Sequence, residues 1–267
     1  MTKLTTGAKD VTARDTYREA REEASNQVSW DVDPLWSDAE KLSLACRILV
    51  TDGHDSILPG LVAVRTSKPG EFLTLPIGLG FDEVTPDLLL TVDENLSVLH
   101  GTGQAAKAVG FLIKMMELRP DVNCGIHTHA LYTSALSMLG EELAVAHMDA
   151  TMFHDDCAFL RDWPGNPVSE TEGEIISEAL QHRRAILLAN HGLATVDATI
   201  EGATFLAFAF ERAAMMQIRA RAIGPLTSIN PELAAEAHDY MAHPSMTAVH
   251  FRRLARRVLR QAPDCLD

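Results

Sequence analysis

Two short strings in this chain carry the residue types that hold metal ions. In Gly125-Ile126-His127-Thr128-His129 the histidines stand at i and i+2. On a β-strand that spacing turns both imidazoles to one face, where they can share one ion. In Leu188-Ala189-Asn190-His191-Gly192 an apolar run ends on a histidine followed by glycine, which sets a third imidazole at a strand edge beside a turn. Three neutral imidazoles suit one divalent transition ion, Fe2+ or Zn2+ foremost and Mn2+ or Co2+ after them. They leave coordination positions open for substrate or water. An HxH pair alone also describes two ordinary, partly buried histidines, so its weight depends on the rest of the chain.

The elements that must position these residues are legible in outline. Ser37 and Glu40 match a capping box ahead of the periodic stretch KLSLACRILV, which marks a helix start. The segments 61–65, 71–78 and 88–93 are rich in leucine and β-branched residues and are separated by Pro, Gly and Asp, as strands of one sheet are. Residues 104–118 have helical composition and stop before Arg119-Pro120. CGIHTH then reads as a buried strand. The alternation continues with a helix over 131–139, a loop-rich acidic stretch over 141–175 and a helix near 174–182. A strand over 184–190, the string HGLATV and a long helix over 199–221 complete it. This is a mixed α/β pattern with helices on both faces of a sheet.

At 267 residues and 46% hydrophobic, the chain suits one large domain, because single cores stop growing only near ~250–300 residues. Residues 1–30 form a polar arm expected to be mobile or used in subunit contacts, and 31–267 form the catalytic domain. No apolar run approaches the roughly 18 residues of a membrane span, and the start MTKLTTGAKD lacks the apolar core of a secretory signal. The four cysteines, Cys46, Cys124, Cys157 and Cys265, are scattered and read as reduced thiols. A formal net charge of −14 argues against a nucleic-acid surface. The expected setting is cytoplasmic, with a small-molecule substrate and neither a membrane nor a nucleic acid as partner. The basic stretch 251–260 is expected to be a solvated terminal helix, or one that meets acidic neighbours in an oligomer.

The strings RPDVNCGIHTHALYTSALS (119–137) and RRAILLANHGLAT (183–195) together resemble the two signature segments of the class II aldolase/adducin superfamily. The upstream segment GFDEVTPDLLLTVD (80–93) resembles its adducin-type branch. The resemblance implies a single-domain α/β/α sandwich that assembles as a homotetramer, with active sites between neighbouring subunits. It implies His127, His129 and His191 as the metal ligands.

The chain departs from the phosphosugar aldolases of that family. Their acid–base glutamate matches Ala108 here, so an enediolate-forming aldolase would need another proton carrier. At the positions of their phosphate cradle stand Gly60-Leu61-Val62-Ala63, Leu75-Pro76-Ile77-Gly78 and Ala106-Lys107. Aliphatic groups replace most of the hydroxyl and amide donors, which makes a phosphosugar a poor substrate. The expectation is a pocket lined by Leu61, Ala63, Leu75, Ile77 and Ala108, with Lys107 as a charged anchor, suited to an apolar or aromatic acid. Among Tyr132, His147, His154, Asp155 and Asp156, the two chosen as proton carriers are His154 and Tyr132.

Three functions compete. The first is a metal-dependent lyase of decarboxylase or aldolase type, in which the ion acts as a Lewis acid at a carbonyl. The second resembles the iron-dependent branch of the family in aminocoumarin antibiotic pathways, an Fe2+- and O2-dependent oxidative decarboxylase of an aromatic 2-oxo acid. The third is a non-catalytic, adducin-like interaction module, which has no need to keep the three histidines.

Overall fold

The computed structural model describes residue 19 and residues 35–57, 60–162, 165 and 170–267. The arm expected over 1–30 lies outside the described residues, residue 19 apart. Helix α1 (Asp38–Val50) begins at the expected capping box: the Ser37 hydroxyl accepts from the Glu40 amide, and the Glu40 carboxylate accepts from the Ser37 amide at 2.7 Å.

Among the described residues eight strands form one sheet: β1 (Leu61–Arg65), β2 (Glu71–Thr74), β3 (Leu90–Asp93), β4 (Val98–His100), β5 (Cys124–Thr128), β6 (Cys157–Leu160), β7 (Ala185–Leu188) and β8 (Gly192–Asp197), in the order β4-β3-β2-β1-β5-β8-β7-β6. Every neighbouring pair is antiparallel except β6 and β7, which run parallel. Helices α2 (Val109–Leu118) and α4 (Glu170–Leu180) cover one face. Helices α1, α5 (Ile200–Arg221) and α7 (Pro244–Gln261) cover the other. Helices α3 (Leu131–Ser137) and α6 (Pro231–Met241) complete the set. The architecture is the α/β/α sandwich that the resemblance implies.

Strand alternation produces the two cores. On β5, Cys124 and Ile126 enter the α1/α5/α7 layer, and on β7 Ala185 and Leu187 do the same while Ile186 and Leu188 enter the α2/α4 layer. Gly125 lets α2 lie close against β5, since a Cβ there would stand 3.3 Å from the Leu112 side chain.

Four expectations need correction. The stretch 141–175, expected to be loop-rich, contains strand β6, which pairs with β7. Helix α2 starts at Val109 rather than 104 because Gln104 and Ala105 are drawn to the sheet edge. The Ile77 amide donates to the Gln104 carbonyl at 2.7 Å, and Ala105 bridges Pro76. Strand β2 ends at Thr74, two residues before Pro76, whose ring removes a ladder donor. The basic C-terminal stretch is not a solvated helix: Phe251, Leu254, Ala255 and Val258 of α7 are buried in the core with α1 and α5. Its arginines occupy the remaining face, which is how an amphipathic helix docks. No helix among the described residues is long and apolar enough to cross a membrane.

Candidate metal centre

His127 is the next-to-last residue of β5, paired with Leu61 of β1 and Ala194 of β8, and is 2% exposed. Its place in the strand register fixes the side-chain direction, towards the α2 layer, where Phe111 meets the ring edge-on at 5.2 Å between centroids. The Leu193 carbonyl lies 2.8 Å from His127 Nδ1. That carbonyl accepts only if Nδ1 carries the proton, so Nε2 is left with its lone pair facing the site.

His129 follows two residues later, just past the end of β5, on the same side. His191 sits in the turn between β7 and β8. The turn is tight: Asn190 adopts a left-handed backbone with φ 56°, a conformation asparagine tolerates better than most residues. Gly192 must be glycine, because a Cβ there would stand 2.5 Å from the Thr128 carbonyl and 2.7 Å from His129 Cδ2. The NHG string therefore brings β8 against the HxH strand end with no room for a side chain.

The three rings converge. Centroids of His127 and His129 are 4.7 Å apart, and His191 lies 4.8 Å from each. One ligand atom from each lies within 4.8 Å of the others. Burial lowers the pKa of all three; the neighbouring imidazoles add to the effect at His127 and His191, and His191 falls to about 4. The rings are thus neutral at ordinary pH. His129 Nε2 is buried with no hydrogen-bond partner, an arrangement that is costly unless a cation takes its lone pair. This donor set fits a divalent transition ion.

The other expected site residues are dispersed. Leu61 and Ala63 share the face of His127, and Leu61 is its cross-strand neighbour. Ala63 pairs with Thr74, so Leu75, one residue further along, turns to the opposite side of the sheet and packs into the other core. Ile77 is 68% exposed and Lys107 is exposed. These residues do not form one wall. Ala108 is the N-cap of α2 without a side-chain hydrogen bond, three residues before Phe111, so the helix end that would carry the family glutamate does lie beside the site.

The two proposed proton carriers are displaced. β6 runs parallel to β7 with Cys157 opposite Ala185, so His154 precedes the strand start and lies at the end of the sheet opposite His191. Its Nε2 is 3.7 Å from Asp155. His147, Asp155 and Asp156 also lie between α3 and β6, and Asp156 is tied to Arg184. Tyr132 packs against the α1/α5/α7 core, where its hydroxyl accepts from Arg219 at 2.9 Å. Two groups at the site went unseen in the sequence. The Leu193 carbonyl belongs to the backbone and carries no residue signature, and Phe111 looks like any core position of an amphipathic helix.

Comparison with known proteins agrees with this fold. The model of the class II aldolase and adducin N-terminal domain matches residues 40–218. The 4-hydroxy-3-prenylphenylpyruvate oxygenase/4-hydroxy-3-prenylbenzoate synthase of Streptomyces roseochromogenus subsp. oscitans is 27% identical over 78% of this chain and 76% of its own. Decarboxylase NovR of Streptomyces niveus is 29% identical over 66% of this chain and 67% of its own. The structure of L-fuculose 1-phosphate aldolase from Glaciozyma antarctica PI12 superposes with a TM-score of 0.78 at 26% identity, covering 88% of this chain and 97% of that one.

Proposed function

Because the chain belongs to the class II aldolase and adducin family, we propose that it is a metal-dependent lyase. It would cleave a carbon–carbon bond next to a carbonyl in an apolar or aromatic, non-phosphorylated oxo acid. The ligands are His127, His129 and His191. The observation that carries this reading is the convergence of three neutral, at least partly buried imidazoles with no carboxylate in the cluster among the described residues.

A bound divalent ion supplies Lewis acidity towards a carbonyl oxygen. The chain's own residues do the rest. The Leu193 carbonyl holds the His127 ring in one tautomer, and Phe111 and Leu61 present apolar surface on the flank of the site. Ala108, where phosphosugar aldolases carry their acid–base group, neither donates nor accepts a proton, so the proton for the product carbon comes from water or from a group outside the described set. Leu131, Met138, Leu139 and Met148 are between 45% and 70% exposed. They offer apolar surface for the homotetramer this reading includes.

A second reading is favoured by the Streptomyces oxygenase among the relatives: an Fe2+- and O2-dependent oxidative decarboxylase of an aromatic 2-oxo acid. Anaerobic purification with metal analysis, then oxygen uptake on adding aromatic 2-oxo acids to the Fe2+-loaded protein, separates the two. Carbon dioxide or aldehyde release from a Zn2+- or Mn2+-loaded sample without oxygen uptake supports the lyase. Rapid substrate-dependent uptake retires it in favour of the oxygenase.

A further inference from the structure

His127 and His191 are each held by elements already described, but His129 lies beyond the last residue of β5 and has no strand partner. What holds it is a pair of buried polar groups on the far side of the sheet. Thr128, between the two ligands, is 1% exposed and points away from the imidazoles. Its Oγ1 lies 2.8 Å from Nδ1 of His54, itself 1% exposed. Burial drives the His54 pKa down to about 4, opposed only in part by the Ala207 carbonyl of α5. The ring is therefore neutral, and its Nδ1 and the Thr128 hydroxyl share one hydrogen bond whose direction the ring tautomer sets.

On the other flank of His129, helix α3 starts at Ala130, which offers no side-chain cap. Glu211 of α5, 4% exposed, takes that role from across the layer. Its carboxylate accepts from the Tyr132 amide at 2.8 Å, the Thr133 amide at 2.7 Å and the Thr133 hydroxyl at 2.8 Å. A buried carboxylate is costly unless its lone pairs are satisfied, and here they are spent on the first turn after His129.

We propose that His54 and Glu211 are positioning residues that bracket His129, anchoring the chain at Thr128 before it and at Tyr132 and Thr133 after it, and so set the geometry of the metal centre. This rests on the metal reading above. The anchors act through backbone placement, as groups beyond the ligands do in other metal sites, where their loss weakens metal affinity.

Titration with Co2+, followed by its visible absorption, tests the inference without any substrate. His54→Leu, Thr128→Val and Glu211→Ala should each weaken Co2+ binding by roughly 10–100-fold and shift the absorption bands. His54→Asn, whose amide reaches the Nδ1 position, and Thr128→Ser should restore both to near the unsubstituted values. Thr128→Val is close to isosteric and keeps the test alive if the other variants fail to fold. Variants with native circular dichroism that bind Co2+ with unchanged affinity and spectrum would overturn the inference while leaving the metal reading intact. An unsubstituted chain that binds no Co2+ would overturn the metal reading, and the inference with it.

Discussion

Both ends of the sheet gather histidines, yet they differ in kind. At one end His127, His129 and His191 meet with no acid in the cluster among the described residues. At the other, His154, His182 and His238 share a cleft with Asp155, Asp156 and Arg184. There His238 Nε2 lies 3.3 Å from Asp156, and Arg184 reaches the same carboxylate at 2.5 Å. Burial acts to raise the Asp156 pKa, but hydrogen bonds from His238 and Arg184 and the guanidinium charge outweigh it and hold the carboxyl below its usual range. At this end His154 and His238 each lie beside a carboxylate, Asp155 and Asp156. At the first end three imidazoles converge within 4.8 Å of one another, a donor set that fits an external cation. Histidine count does not make a metal site; convergence of donor atoms on one point does.

The largest effect should come from the ligands. His127→Ala, His129→Ala and His191→Ala should each lower metal affinity by more than about 100-fold, beyond what loss of a supporting group costs. Metal content after purification measures it, with circular dichroism confirming the fold. Full metal content in all three would erase the distinction between the two ends.

Asp156→Ala should show the opposite pattern, with metal content retained and stability reduced by ~1–3 kcal/mol, because it leaves the Arg184 guanidinium with Asp197 as its remaining carboxylate partner. Urea unfolding of the metal-loaded protein reads both. Loss of metal with unchanged stability would contradict the assignment of this cluster to the scaffold.

The two ends should also separate by pH in metal-free protein. His54 and His191 have pKa values of about 4 against an ordinary 6.5. The unfolded chain therefore takes up protons first as pH falls, and stability present above 6.5 is lost progressively down to about 4. For His54 this amounts to on the order of 3 kcal/mol. Asp156, depressed below 3.8, keeps its contribution through that window and loses it only at lower pH. A urea midpoint that stays flat between pH 6.5 and 4 would contradict the desolvation of the metal end.

The smallest effect is expected at His154. His154→Ala should leave metal content and turnover unchanged, since the residue lies at the other end of the strands. A large loss of turnover would mean that this end reaches a site in a neighbouring subunit.

Much of this was legible in residue types. The HxH spacing and the NHG turn pointed to ligands because strand alternation and glycine turn chemistry are local. The capping box at Ser37 and the stop before Pro120 marked helix ends for the same reason. The aliphatic pocket was not legible. Whether Leu75 shares a face with Ala63 depends on the β1–β2 register and on the Pro76–Ala105 bridge, neither of which leaves a mark in one segment. Glu211 alone among the missed residues had a signal: a carboxylate at a core-facing position of an apolar helix, with Ala207 and Ala214 buried beside it.

The amino-acid sequence by itself determined most of the alternation of strands and helices, strands β4 and β6 excepted, together with the three candidate ligands and the absence of a carboxylate at Ala108, because these are properties of residues and their near neighbours. Only the tertiary structure decided which end of the sheet His127, His129, His191 and His154 occupy, that the basic terminal helix is part of the core, and that His54 meets Thr128 of β5 while Glu211 meets the first turn of α3. Those outcomes follow from strand order, from the parallel pairing of β6 with β7 and from the packing of α5, all contacts between residues far apart in the chain.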